Sequence, residues 1–235
     1  MTASADRHGA WLGLFGLALA SCVGVRPDTA PAGSNEPTSA GGRKLQPVAP
    51  SALSATSGEL VPAGDDRFEI HSPTLRAELG RLPRAAAELA FVYRGPTKTA
   101  APLASGEMRR QIGLKLRARD TCNVVYVMWH IEPSPGIVVS VKSNPGQRTH
   151  QECSDRGYSF LQPRSSDPVP RVQIDEPHVL SAEIRGRDLW VTTDGQPSWV
   201  GELPAAAFEF DGPVGLRADN GEFSAQLRAE KLAQE

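Results

Sequence analysis

An excess of charge of one sign is absent: 25 Lys+Arg against 27 Asp+Glu leave a formal net charge of -2. So balanced a chain offers no electrostatic handle for nucleic acid or an anionic membrane surface, and neither is expected as a partner on charge grounds. Long apolar runs are missing too. The best uncharged stretch, Ala10 to Ala20, is about half of the roughly 20 residues that a permanent membrane helix needs. Three cysteines are too few for a disulfide-dense miniature scaffold. The chain also contains no G-x-S-x-G elbow, no H-E-x-x-H and no phosphate-cradling glycine loop, so no nucleophilic, zinc-protease or nucleotide chemistry is indicated. No cofactor and no metal centre are expected. What is plentiful is Gly (22) and Pro (20), with aromatics held to 6%. That balance suits many turns and short strands better than a helical bundle.

Residues 1–21 have the layout of an export signal: a short polar region with Arg7, the apolar run, then small residues. The run ends in Leu19-Ala20-Ser21-Cys22, which resembles the lipobox of bacterial lipoproteins. That resemblance implies cleavage before Cys22, diacylglycerol on its thiol, and a lipid-anchored envelope protein. Val23 is no aspartate and so does not resemble an inner-membrane retention signal, which makes the outer membrane the implied destination. An ordinary signal peptide with an incidental Cys22 is the alternative. The cysteine count supports acylation, because three thiols are awkward in an exported chain and lipidation of Cys22 leaves Cys122 and Cys153 as a pair. A disulfide is the preferred reading of that pair. A metal site using His150-x-x-Cys153 with Cys122 lacks an evident fourth ligand, and two free buried thiols are a third reading.

Residues 22–60 are rich in Pro, Ser, Ala and Gly, with almost no aliphatic periodicity. Such a segment is expected to be a disordered tether, spanning roughly 35 Å as a random coil. The domain is expected over 61–235. Ser72-Pro73 followed by Gly80 predicts one short helix near its start, because serine caps a helix, proline fits its first turn and glycine ends it. Period-two apolar patterns then dominate: Leu89 to Arg94, Gln111 to Ala118, Ile137 to Lys142, Leu180 to Arg185, Leu189 to Val191, and Phe223 to Leu227. Asn123 to Ile131 is apolar almost throughout, as in a strand covered on both faces. Asp194-Gly195 predicts a tight hairpin. The expected fold class is all-β, an antiparallel jelly-roll β-sandwich with one short N-terminal helix.

A resemblance follows from the C-terminal half. His178-x-Leu180, Glu183-x-x-Gly186-x-x-Leu189-x-Val191-x-x-Asp194-Gly195 and Gly212-Pro213-Val214-Gly215-Leu216-Arg217-x-Asp219-Asn220 are similar to concanavalin A-like (laminin-G or glucanase-type) jelly-roll domains. The resemblance implies a carbohydrate-active or carbohydrate-binding module. Retaining glucanases of that fold carry an E-x-D-x-x-E cluster, and no such cluster occurs here. Glu132 and Glu183 fall on predicted strands; Asp155, Asp188, Asp194, Asp211 and Asp219 fall in predicted turns. His130, within the most apolar strand, reads as a core histidine. Trp190, Thr192, Arg185, Lys115, Arg117 and Arg217 alternate with core positions and are the candidate ligand-binding side chains, for a glycan or envelope polysaccharide. An ordinary solvated sheet face is the plainer alternative. A carbohydrate hydrolase and a structural envelope or adhesion protein are the competing functions.

Overall fold

The computed structural model describes residues 43–231; the signal peptide, Cys22 and the first part of the expected tether lie outside the described residues. In chain order the strands are β1 (Leu45–Pro47), β2 (Leu53–Ser57), β3 (Val61–Gly64), β4 (Arg67–Ile70), β5 (Thr74–Leu79), β6 (Ala86–Pro96), β7 (Arg110–Leu116) and β8 (Val124–Glu132). They continue as β9 (Gly136–Lys142), β10 (Tyr158–Phe160), β11 (Ser165–Ser166), β12 (Pro177–Arg185), β13 (Asp188–Thr193), β14 (Gln196–Glu202), β15 (Gly215–Asp219) and β16 (Gly221–Glu230). A single turn of α-helix, α1 (His150–Cys153), lies between β9 and β10.

Two antiparallel sheets result. A nine-stranded sheet runs β11-β14-β13-β12-β6-β16-β4-β3, with β1 added on β16, and a seven-stranded sheet runs β10-β9-β8-β7-β15-β5-β2. Alternate side chains of each meet between them. Leu89, Phe91 and Tyr93 of β6, Leu180 of β12 and Phe223 of β16 pack with Leu114 of β7, Val127 and Trp129 of β8 and Leu216 of β15. The Trp129 ring stands edge-on to Phe91 at 5.6 Å and 88°, an arrangement that aromatic quadrupoles favour. The fold is the all-β jelly-roll sandwich that the alternation implied. The Asp194-Gly195 turn has positive φ at both residues, 51° and 78°, as its hairpin requires.

Two expectations are corrected. Residues 74–79 form the strand β5, and the α-helical turn sits at 150–153. Leu75, Ala77 and Leu79 are buried while Thr74, Arg76 and Glu78 face outward, a period-two pattern that a helix would split. Ser72 bonds the Thr74 carbonyl where a helix cap would accept backbone N–H groups. Ordered structure also begins before residue 60. β1 pairs with β16 and β2 with β5, although Val48 and Leu53 are the main apolar side chains buried there. A strand added at a sheet edge gains its backbone hydrogen bonds without an apolar pattern of its own, so composition could not announce it.

Candidate functional site

The outer face of the seven-stranded sheet collects the polar side chains of five neighbouring strands. Registers place Arg217 of β15 between Arg76 of β5 and Gly113 of β7. Asp219 lies beside Gln111, Lys115 beside Tyr126, Tyr126 beside Ser140, and Lys142 between Val124 and Tyr158. Gly113 is demanded by close approach: a Cβ there would stand 2.2 Å from the Val127 carbonyl oxygen and 2.9 Å from Met128 Sδ.

Asp219 organises this face. Fully buried, it accepts hydrogen bonds from Arg76 Nη2 at 2.8 Å, Arg217 Nε at 2.8 Å and Gln111 Nε2 at 2.6 Å. Burial opposes its charge, yet Arg217 and Arg76 together hold its carboxyl below the usual range. Burial likewise opposes the charge of Arg217, but Asp219, Tyr126 and Tyr158 together raise the guanidinium above its ordinary value. Lys115, 2% exposed, is ion-paired with Glu78. Lys142 Nζ donates to the Ser154 carbonyl at 2.5 Å and lies 5.2 Å from the Tyr158 ring centre, while Arg217 lies 5.1 Å from that of Tyr126. Cations therefore occupy two ring faces.

Above the sheet lie adjoining cavities. One of about 430 Å³ is lined by Arg76, Lys115, Lys142 and Arg217 with Thr56, Ser57, Thr74 and Thr121. A second, of about 230 Å³, is lined by Gln111, Met128, His130, Ser140, Tyr158 and Phe160. Both also touch Tyr126, Arg217, Leu103 and Ala104, the last two from the connection between β6 and β7. Tyr126, Tyr158 and Phe160 form a row of near-parallel rings, 6.2 Å and 6.3 Å apart at 22° and 16°. Phe160 ends the row 63% exposed. Burial, with Arg109 nearby, pushes His130 down to about 4, so it is a neutral imidazole at pH 7. Gln111 is buried, and its Oε1 finds no partner among the described residues, a deficit that a ligand hydroxyl would fill.

The sequence-derived candidates separate. Lys115 and Arg217 belong to this face. Arg117 turns away from it, donating from Nε to the Ala207 carbonyl at 2.9 Å and from Nη2 to the Phe210 carbonyl at 2.6 Å, and lying 5.0 Å from the Phe208 ring centre. Trp190, Thr192 and Arg185 are on the nine-stranded sheet. There Arg185 lies 5.1 Å from the Trp190 ring centre and bonds Glu183 at 2.6 Å. A period of two tells outward from inward but not which of a sandwich's two outer faces is reached. The six residues therefore do not share one surface.

Cys122 and Cys153 are disulfide-bonded, S–S 2.09 Å and Cα–Cα 5.8 Å, which removes the thiolates that the metal reading required. The bond ties the start of β8 to the end of α1, next to Ser154, the acceptor of Lys142. Asp219 is not in a turn but ends β15. Arg76 and Glu78 escaped notice because their segment read as a helix. Tyr126 is hidden in an apolar run, and His130, read there as a core histidine, instead lines the second cavity on the outer face.

No protein-family model matches the sequence, and no curated protein matches it. Solved structures do. The chain is similar to the carbohydrate-binding module CBM66 from Bacillus subtilis, with 9% identity over 74% of this chain and 91% of that one and a TM-score of 0.51. It is also similar to a pseudo β-1,3-glucanase of Mycobacterium tuberculosis (11% identity, 74% and 78% covered, TM-score 0.42). A third is the galectin LEC-6 of Caenorhabditis elegans (9%, 77% and 99%, 0.38). At 9% identity the likeness to the carbohydrate-binding module is one of fold, the jelly-roll β-sandwich.

Proposed function

We propose that this chain is an exported lipoprotein, anchored through Cys22, whose sandwich binds carbohydrate on the outer face of the seven-stranded sheet. One observation carries the binding site: a row of three aromatic rings, a buried Gln111 with a free acceptor and a set of fixed cations all border the same pair of cavities. Sugars are recognised by rings for their apolar faces and by fixed polar groups for their hydroxyls. The fold likeness to a carbohydrate-binding module agrees with this reading.

Binding is preferred to glycoside hydrolysis because of the state of the carboxylates. Hydrolysis needs one carboxyl that carries a proton and a second that is free to attack or to activate water. Asp219 is held ionised with three donors on it, and Glu78 is paired with Lys115. Neither is available for those roles; of the two carboxylates that line the second cavity, Glu107 is ion-paired with Arg109, which leaves Asp155 without a second free carboxyl among the described lining residues.

A glycan array probed with the exported Cys22→Ala chain tests the function. Retention on a defined class of saccharides is expected, and no retention on any saccharide overturns it. The same variant tests the anchor: the native chain should fractionate with membranes and Cys22→Ala should not, whereas unchanged fractionation refutes lipidation.

A further inference from the structure

We propose that the cavity bounded by Arg76, Lys115, Lys142 and Arg217 is an anion site that receives the carboxylate or sulfate group of an acidic saccharide. The inference rests on the carbohydrate reading of this face and specifies the ligand's charge. Its basis is an unequal distribution of charge in a chain that is otherwise balanced. Four cationic side chains line one cavity, and among the described residues no Asp or Glu lines it. Two carboxylates bond three of the four cations: Glu78 takes Lys115, and Asp219 is shared by Arg76 and Arg217. Lys142 has no carboxylate bonded to it among the described residues; its ammonium reaches the Ser154 carbonyl and the Tyr158 ring. Asp120 and Asp155 act on it through space alone.

Concentrating cations in a poorly hydrated place is costly, and the structure records the cost. Burial first, with Arg217 adding repulsion, lowers Arg76, Lys115 and Lys142 below their ordinary values. A bound anion would relieve that repulsion with charge-assisted hydrogen bonds, and these are the stronger kind. Thr56, Ser57, Thr74 and Thr121 at the same cavity supply hydroxyls for the rest of a sugar ring. The adjoining cavity with Phe160 and Gln111 gives a saccharide room that a free inorganic ion would leave empty. Carboxylate and sulfate share the chemistry that the cluster recognises, so the probes must separate them.

The exported Cys22→Ala chain should be titrated by calorimetry with oligogalacturonate, a heparin-derived sulfated oligosaccharide and a neutral glucan oligosaccharide of matched length. One of the two acidic probes is expected to bind at least about tenfold more tightly than the glucan. Its affinity should fall as NaCl rises from about 0.05 to about 0.5 M. Lys142→Met should lose about tenfold or more of that affinity, a larger factor than it loses for the glucan, while Arg187→Met, in the turn between β12 and β13 of the other sheet, should lose none. The salt series on the unsubstituted chain serves if Lys142→Met fails to fold. Equal, salt-insensitive binding of acidic and neutral probes overturns the anion site and leaves carbohydrate binding standing. An equal loss in Lys142→Met and Arg187→Met overturns its placement, and silence from every probe overturns both.

Discussion

Replacing Cys122 and Cys153 together by serine is expected to lower stability by about 3.7 kcal/mol. The bond closes a loop with a sequence separation of 31, and the chain-entropy relation for a loop of that length gives about 12 cal/mol/K, or about 3.7 kcal/mol at 25 °C. The effect acts on the unfolded chain, so native contacts that hold the same loop do not replace it. Those contacts are Thr121 Oγ1 donating to the Arg148 carbonyl at 3.0 Å and Asn123 Nδ2 to the Gln147 carbonyl at 2.9 Å. For a domain of this size about 2–4 °C accompanies each kcal/mol, so Tm should fall by roughly 7–15 °C. Thermal unfolding followed by circular dichroism, comparing the oxidised parent with the double-serine variant, measures it. A Tm unchanged within about 2 °C would refute the entropic reasoning.

Three further perturbations probe the face and its supports. His130 has a folded-state value of about 4 against an ordinary 6.5, so its contribution is complete above pH 6.5 and is lost as pH falls towards 4. That loss is about 3 kcal/mol, and His130→Gln should flatten this part of the stability–pH curve in denaturant titrations; an unaltered curve refutes the assignment. Asp219→Asn leaves Arg76 and Arg217 without their buried counter-charge and should cost about 3–5 kcal/mol in urea unfolding, with a value under about 1 kcal/mol counting against its organising role. Arg117→Met removes donors to the Ala207 and Phe210 carbonyls and should cost about 1–3 kcal/mol while leaving saccharide affinity unchanged, whereas a selective loss of affinity would return Arg117 to the site.

Legibility divided along physical lines. Where a strand buries one face and its turn has special φ values, as at β12–β13 and Asp194-Gly195, side-chain order alone specifies it. β5 was misread because Ser72-Pro73 and Gly80 imitate helix punctuation, and the partners that make it a strand, β2 and β15, are remote in sequence. β1 and β2 were invisible because edge pairing is a backbone transaction. The site was half legible. Lys115 and Arg217 are readable as outward cations, but their union with Arg76, Lys142 and Asp219 depends on sheet order, and the separation of Trp190 from them depends on which sheet each strand joins. The disulfide was within reach because counting cysteines in an exported chain needs no coordinates.

Chemical-shift mapping with a saccharide retained on the array addresses the binding face directly. Adding it to the ¹⁵N-labelled Cys22→Ala chain should move the signals of Arg76, Gln111, Ser140, Phe160 and Arg217 and leave the Trp190 indole where it is. Shifts confined to Trp190, Thr192 and Arg185, with the seven-stranded sheet silent, would contradict the placement of the site.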